Sequence, residues 1–494
     1  MKILRSIFYF LLVNLVVVPL LYVSSLRAQQ PLTFEDALQI AKTNSPDIQQ
    51  ARLSLERSQE LLNAQEASLK SRFSLNVNPI TYSHDQTFDR FNNVWNTSEL
   101  KSSSGLFIVS QPLVWTDGIL ELRNQLTWQD AYSEFQGAVN KSYSNNLFLA
   151  YNQPIFTYNR TKLALQEVQL DNENALLNYR IRELLLERQV AQRFYTAYQS
   201  KMSLLVAKED YQNRIQSYQI IKNKVDAGLT AQEELYQAEL NMTSSKSQVQ
   251  NQQVALDNAL DELKHLIGTS LFDDITVVAD ISMDSIDVDL QKALDHGLKN
   301  RLELEQRNID IELARANLTR STATNEFRGD ISLTYGIIGN NEELANIYEK
   351  PTQNQKVSLS FEIPIWDWGE RESRINAAQS SIKRSEVSLA DEKNLIIIAI
   401  RQAYRSLQNH MIQVELERQN VRTAQLTYDI NLERYENGDL TSMDLNLVQN
   451  QLSQRKIGLI NAMISYKMDL LDLKIESLWD FEKNKPVFIM EMKD

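Results

Sequence analysis

The chain has 494 residues, of which 43% are hydrophobic, no cysteine, and a formal net charge of −13 at pH 7. The lack of cysteine excludes disulfides, thiolate nucleophiles and the commonest structural zinc ligands, and the negative charge argues against nucleic acid as a partner. With only 12 glycines and 9 prolines, the composition is typical of long helices joined by few connections.

The first 28 residues have the pattern of a secretory signal peptide. Lys2 and Arg5 form a positive region, residues 7–23 form an apolar core, and small and polar residues lead to Ala28 and Gln29. Its removal takes away three positive charges and changes the net charge from −13 to −16. An uncleaved membrane anchor is the alternative. No later run approaches 18 apolar residues, so no further membrane helix is predicted.

A long stretch of the chain occurs twice at a fixed offset of 210 residues. The phrase "NQPIFTYNR" at 152–160 matches "EIPIWDWGE" at 362–370, and Gly228 matches Gly438. The correspondence runs without a gap for about 110 residues, which indicates an internal duplication. The sequence therefore predicts a first repeat over 29–285, a second repeat over 286–480 and a C-terminal tail over 481–494.

Each repeat begins with two helices and continues with segments in which apolar and polar residues alternate. The predicted strands are about 72–84 and 145–156 in the first repeat, and about 329–338 and 356–365 in the second. Alternation over about ten residues fits a transmembrane barrel strand. It fits a half-buried strand of a soluble sheet equally well.

The first repeat carries about 44 extra residues between its two strands, within an insertion over 85–143. Its segment "SQPLVWTDGILELRNQLTW" at 110–128 resembles another hairpin with a Thr-Asp-Gly turn. Two interpretations remain open: an extracellular elaboration, or strands that change the lining of the barrel.

A helical hairpin follows the second strand of each repeat, over 157–268 with its tip at 228 and over 367–475 with its tip at 438. The two glycines at the tips suit the left-handed cap that a tight reversal needs. Apolar residues at 3-4 spacing from Ile397 to Tyr435 predict coiled-coil packing. An isolated hairpin of this length exposes apolar residues, so lateral association is expected.

The export signal, the duplicated halves, the "QPIF" and "IPIW" strand ends and the turn "YENGDLTSMDLNLVQNQ" together resemble the TolC-like outer-membrane factors. The resemblance implies a mainly α fold with a small β part, built from a duplicated helix–strand–strand–long helix hairpin unit. It further implies a homotrimer with an α-helical barrel and a shared 12-stranded transmembrane β-barrel.

The resemblance also implies a function. The chain would be the exit duct of a tripartite efflux pump or type I secretion system, in the outer membrane and extending into the periplasm of a Gram-negative bacterium. Its partners would be a periplasmic adaptor protein, an inner-membrane pump and outer-membrane lipid. No nucleic acid, cofactor, metal or catalytic activity is expected.

By the same resemblance the functional residues lie at the hairpin tips. The expected channel gate comprises Glu234, Asp444 and Tyr435. The gating arginine of the family is replaced by Leu440 and a second aperture acid by Leu447, so the salt-bridge latch of the family is not expected in that form. The expected adaptor contacts are Gly228, Leu229, Thr230, Gly438, Asp439 and Leu440. The expected strand-to-helix junctions are Pro154, Phe156, Pro364 and Trp366.

Acidic residues are concentrated near both tips. They are Asp226, Glu233, Glu234, Glu436, Asp439 and Asp444. Threefold symmetry would turn each into a carboxylate ring that favours cations, although solvated charges at helix ends explain the same cluster. No glycine-rich phosphate loop, HExxH or GxSxG motif supports an enzyme. A soluble periplasmic coiled-coil scaffold or adaptor protein is the main alternative, but it leaves the duplicated strand pairs unexplained.

Overall fold

The computed structural model describes residues 30–134, 138–281 and 286–487. The predicted signal peptide over 1–28 therefore lies outside the described residues, as does the tail after residue 487. The first repeat contains β1 Gln30–Leu32, α1 Phe34–Asn44, α2 Pro46–Ser68, β2 Arg72–Asp89, β3 Val94–Leu113, β4 Gly118–Ser133, β5 Ala138–Ile155, α3 Arg160–Asp226, α4 Gln232–Ile267 and β6 Ile275–Val277.

The second repeat has the same plan with fewer strands. It contains α5 Leu290–Asn300, α6 Leu302–Thr322, β7 Arg328–Asn341, a short 3-10 helix Leu344–Asn346, β8 Thr352–Glu362, α7 Glu370–Asn437 and α8 Ser442–Ser477, and it is followed by β9 Trp479–Asp480 and β10 Lys485–Pro486. Among the residues described, no helix is long and apolar enough to cross a membrane.

The chain divides into two compact units. The hairpin unit comprises Met1–Gln50, Arg182–Asn300 and Ile396–Asp494, as far as these segments are described, and the sheet unit comprises Ala51–Ile181 and Arg301–Leu395. Both units draw on both repeats, as expected for a duplicated chain in which equivalent elements pack side by side.

The sheet unit contains one antiparallel sheet of six strands in the order β2-β3-β4-β5-β7-β8. The insertion predicted over 85–143 is therefore not a separate elaboration, because it supplies the end of β2, all of β3 and β4, and the start of β5. The expected 12-stranded barrel assumed four strands per chain. The sheet of this chain has six strands. The alternation of apolar and polar residues does not predict β3, because its "SSSGLF" segment has serine and glycine where a strand usually has larger residues.

The hairpin unit contains two helical hairpins, α3–α4 and α7–α8. The seam residues Ile400, Leu407, Val414, Tyr428 and Tyr435 of α7 are all buried, as coiled-coil packing requires. β1 pairs in parallel with β6, and the buried side chains of Ala37 and Ala41 allow α1 to pack closely. The predicted fold class, mainly α with a small β part, is confirmed.

Candidate functional site at the hairpin tips

Both hairpin turns are closed by the same backbone motif. In the first turn Gly228 N–H donates to Val225 C=O over 2.9 Å and Leu229 N–H donates to Lys224 C=O over 2.8 Å. The equivalent bonds in the second turn join Gly438 to Tyr435 over 3.2 Å and Asp439 to Arg434 over 2.9 Å. Both glycines have left-handed backbone angles, with φ of 72° and 92°, as expected from the sequence, and the paired bonds make each turn a Schellman motif.

The two hairpins meet near their tips in a shared apolar core. Equivalent residues of the two repeats belong to this one cluster. Leu235 is found there with its equivalent, the buried Leu445, and Tyr218 with its equivalent, the buried Tyr428. Leu440, for which the resemblance noted above implies an arginine, is a partly buried member of this cluster. In this chain the position therefore contributes an apolar contact.

The duplicated acids Glu234 and Asp444 make different contacts. Thr441 caps α8, its hydroxyl accepting a bond from Asp444 N–H over 3.2 Å and donating to the Asp444 carboxylate over 2.7 Å. The equivalent cap of α4 is Ala231, which has no capping side chain. The carboxylate of Glu234 instead accepts a 3.3 Å bond from Ser442 N–H, at the start of α8 in the other repeat.

Lys224 of the first repeat contacts the end of α7, on the side of the second turn opposite to Ser442. Its ammonium group donates a 2.6 Å hydrogen bond to the carbonyl of Tyr435, in the last turn of α7, and lies 5.3 Å from the centroid of the Tyr435 ring. A cation at the carboxyl end of a helix and an anion at the amino end both stabilise the helix dipole. We call these two contacts, Lys224 to Tyr435 and Glu234 to Ser442, the tip clamp.

Tyr435 is the most enclosed of the expected gate residues, with 1% of its surface exposed. Its hydroxyl lies 3.5 Å from the carbonyl of Ser217. Burial raises the pKa of Tyr435 to about 12, and the negative charge of Glu234 adds to the rise. The phenol is therefore neutral throughout the physiological range.

A cavity of about 380 Å³ brings the expected site residues together. Its lining includes all three gate candidates and five of the six adaptor candidates. They are Glu234, Asp444, Tyr435, Leu229, Thr230, Gly438, Asp439 and Leu440. Leu229 is 77% exposed, and Gly228, Gly438 and Asp439 are also exposed. Exposed turn residues next to a polar cavity give a surface that another protein can reach.

Sequence reasoning missed a polar network deeper in the hairpin pair. The buried Arg214 donates to Asp210 over 2.7 Å, to Asn446 over 3.0 Å and to Asn450 over 2.7 Å. Ser245 also donates to Asp210, over 2.8 Å. The network ties three helices from both repeats together, and the only sequence signal for it is the four-residue spacing of Asp210 and Arg214.

The two predicted strand-to-helix junctions differ in detail. Pro154 is paired within β5, opposite Asp330, whereas Pro364 follows the end of β8. Both places carry exposed aromatic side chains: the ring of Phe156 lies 5.5 Å from that of Phe327, and the ring of Trp366 lies 5.7 Å from that of Trp368. Such aromatic groups at strand ends are typical of a membrane interface.

Over the described ranges, no group of three or more histidine, aspartate or glutamate side chains is arranged to hold a metal ion. Two of the tip carboxylates, those of Glu234 and Asp444, instead contact groups at the start of α8. What the arrangement provides is a pair of helical turns held together by a few polar contacts over an apolar core.

Comparison with known proteins gives a consistent picture. The family model described as outer membrane efflux protein matches residues 293–474. Outer membrane protein TolC of Escherichia coli is 23% identical over 236 residues, which cover 44% of this chain and 46% of TolC. Cation efflux system protein CusC of Escherichia coli is 22% identical over 343 residues, which cover 69% of this chain and 72% of CusC. The matched segment thus spans about half the length of TolC and a larger part of CusC.

The fold is also similar to solved structures. The Campylobacter jejuni CmeC outer membrane channel superposes with a TM-score of 0.68 at 15% identity, covering 92% of this chain and 86% of CmeC. The match extends beyond the segment that the family model covers, so both repeats have the fold of such channels.

Proposed function

We propose that this chain, a member of the TolC-like outer-membrane factors by its sequence and fold, is the outer-membrane exit duct of a tripartite efflux pump or type I secretion system. These likenesses support the family and the location, an outer membrane with extension into the periplasm. The contacts of this chain support a trimer, a gate and an adaptor.

A homotrimer is supported by apolar residues that the single chain leaves in solvent. On α7 these are Ile398, Ile412, Leu416, Leu426 and Ile430, each between 55% and 60% exposed. Large apolar surfaces on a soluble helical region mark contacts with other subunits. Three copies arranged in a ring would bury them and complete the helical barrel expected of the family.

The tip clamp is the observation that carries the proposal of a gate. Closing a helical barrel requires that one hairpin of each pair be held against the other. Here Lys224 and Glu234, both of the first hairpin, hold the two helix ends that flank the turn of the second hairpin. These bonds, together with the apolar Leu440, take the place of the salt bridge that the missing arginine would have formed.

An adaptor protein would open the gate by competing for the same groups. The clamp bonds lie at the margin of a polar cavity whose rim consists of exposed turn residues. An intramolecular hydrogen bond contributes about 0.5–1.5 kcal/mol to stability, so a partner that binds the turns can displace these two bonds. An inner-membrane pump would supply the cargo, and an acidic mouth favours cationic solutes.

The test is the conductance of detergent-purified protein in a planar lipid bilayer. A passive duct with acidic tips gives small, cation-selective channels that multivalent cations block, and Asp444→Asn weakens this block. A protein of a soluble scaffold class would be washed from membranes by high salt and would give no channels after purification. Release of this protein from membranes at high salt, or the absence of channels after purification, would contradict the proposal.

A further inference from the structure

We infer that the membrane barrel of this protein has 18 strands, closed by pairing β8 of each chain with β2 of the next. The inference rests on the proposed trimer and concerns the sheet unit alone. Three chains with six strands each contribute eighteen strands, whereas the resemblance to the family implied twelve.

The two additional strands belong to the same continuous sheet as the others. β3 is paired with β2 from Arg72 opposite Ser110 to Asp89 opposite Val94, with one irregularity. The ladders β3–β4 and β4–β5 are also unbroken along their whole length. A strand needs about 9–11 residues to cross a bilayer, and every strand of the sheet meets this length, the shortest being β8 with 11 residues.

All six strands place apolar residues on one face of the sheet. A row of facing residues crosses five strands of the sheet, consisting of Phe73, Val109, Leu122, Leu149 and Tyr335. Phe73, Leu122, Leu149 and Tyr335 are 66%, 38%, 46% and 45% exposed. The strand β8 continues this face with Val357, Leu359 and Phe361, all exposed. An exposed apolar face shared by every strand is what contact with lipid requires.

The opposite face carries charged and hydroxyl side chains on the added strands, beside the apolar Ile108 and Ile119. On β4 it carries Glu121 and Arg123, which form an ion pair of 2.6 Å. Glu121 faces Ser110 of β3 on one side and Ala150 of β5 on the other. A barrel wall has its polar face toward a water-filled interior, so β3 and β4 line the pore as the other strands do.

The turn between β3 and β4 is fixed at the base of the sheet. The carboxylate of Asp117, 8% exposed, accepts bonds from Thr161 N–H over 2.9 Å and from Arg160 Nε over 2.9 Å, at the start of α3. Gln153 donates to the carbonyl of Thr116 over 2.6 Å. The added hairpin therefore runs the full height of the sheet down to the strand-to-helix junction, and is part of the wall.

The two outer strands are the places where copies can join. β2 and β8 have no strand partner on their outer sides within the described residues, and they are more exposed than β3 and β4. Open edges are not tolerated in lipid. Because six is an even number, β8 runs opposite to β2, so a second copy of this chain continues the antiparallel pattern until the ring closes.

An 18-stranded barrel is about 1.5 times as wide as one with twelve strands, because barrel diameter grows roughly linearly with strand number. The same principle places barrels of 16–18 strands among those with an open aqueous channel. The membrane part of this duct would therefore admit larger solutes than the barrel implied by the family resemblance.

The test is to count strands by electron cryo-microscopy of the wild-type protein in lipid nanodiscs. The expected result is a ring of three chains with 18 strands, in which residues 94–133 lie in the wall. A ring of three chains with 12 strands, or residues 94–133 outside the wall, overturns the inference and leaves the proposed function standing. A ring of two chains overturns the inference and the trimer together, and the absence of any membrane ring contradicts the proposed function itself.

Cysteine pairs give an independent check, because the chain contains no cysteine. Leu75 faces Phe107 on the neighbouring strand, so L75C with F107C should form a disulfide in the membrane-embedded protein. Leu147 lies in the same row but three strand spacings from Leu75, or about 14 Å, so L75C with L147C should not. Crosslinking of the second pair would mean that β2 pairs directly with β5, which would overturn the inference.

Discussion

The ammonium group of Lys224 donates a 2.6 Å hydrogen bond to the backbone carbonyl of Tyr435, 211 positions further along the chain. The bond joins the last turn of α3 to the last turn of its duplicate, α7. Ten residues after Lys224, Glu234 accepts a bond from Ser442 at the start of α8. One hairpin thus holds both helix ends of the other, which gives the two duplicated hairpins different roles at the tips.

Glu234 stabilises the start of α8 by its charge and by its hydrogen bond. Glu234→Gln keeps an acceptor and removes the charge, whereas Glu234→Ala removes both. We expect Gln to cost a few tenths of a kcal/mol and Ala about 1 kcal/mol of local stability. Hydrogen–deuterium exchange of the first turn of α8 measures the effect, with the exposed neighbour Glu233→Gln as control. Equal exchange in all variants would contradict the capping role.

Gly438 has a φ of 92° and no atom within 4 Å of an added Cβ. Gly438→Ala therefore introduces backbone strain without a steric clash, at a cost of about 1 kcal/mol. Gly438→Asn should cost less, because asparagine tolerates the left-handed region. Thermal unfolding of the purified protein compares the two. A larger loss in the asparagine variant would show that side-chain volume matters more at this turn than backbone angle.

Because Tyr435 is buried, we expect the folded protein to lose stability at alkaline pH. Burial raises its pKa to about 12 from an ordinary value of 10, so between these values the unfolded chain has released the proton that the folded chain retains. The free energy of unfolding therefore falls by roughly 2 kcal/mol as the pH rises from 10 toward 12. Tyrosinate absorbance of the wild type minus that of Tyr435→Phe should show one group titrating near the upper value. Titration of that group near 10 would contradict its enclosure.

Asp117 fixes the turn of the added hairpin to the start of α3. Asp117→Asn preserves the shape and the tolerance for its φ of 64°, but removes the charge that faces Arg160. The buried position suggests a loss of about 1–3 kcal/mol. The dissociation temperature of the detergent-solubilised protein should fall, whereas Asp85→Asn in the exposed part of β2 should leave it unchanged. Equal dissociation temperatures for the wild type and Asp117→Asn would mean that Asp117 does not anchor the hairpin to the start of α3.

The sequence was sufficient for the elements that follow from periodicity and duplication. The offset of 210 residues placed the two turn glycines, and the apolar seam of α7 identified its buried side. Both depend on local patterns, which a single sequence shows directly. The strand β3 was missed because Ser102, Ser103, Ser104 and Gly105 interrupt the alternation, and its position was decided by pairing with neighbouring strands.

The tip clamp could not be predicted, because it joins residues that are far apart in sequence. One signal was nevertheless present. Thr441 can cap its own helix, while the equivalent Ala231 cannot, so the acid three residues later has no hydroxyl partner in the first repeat. Comparing the two copies for such differences would have pointed to Glu234 as the one that contacts another element.

The most direct test of the gate is the single-channel conductance of a variant that lacks the clamp, Lys224→Met combined with Glu234→Gln. The matched control is Lys222→Met with Glu233→Gln, which changes the same charges at exposed neighbouring positions. We expect the clamp variant to conduct several-fold more than the wild type and the control variant to conduct as the wild type does. Equal conductance of the clamp variant and the wild type would contradict a gate held closed by Lys224 and Glu234.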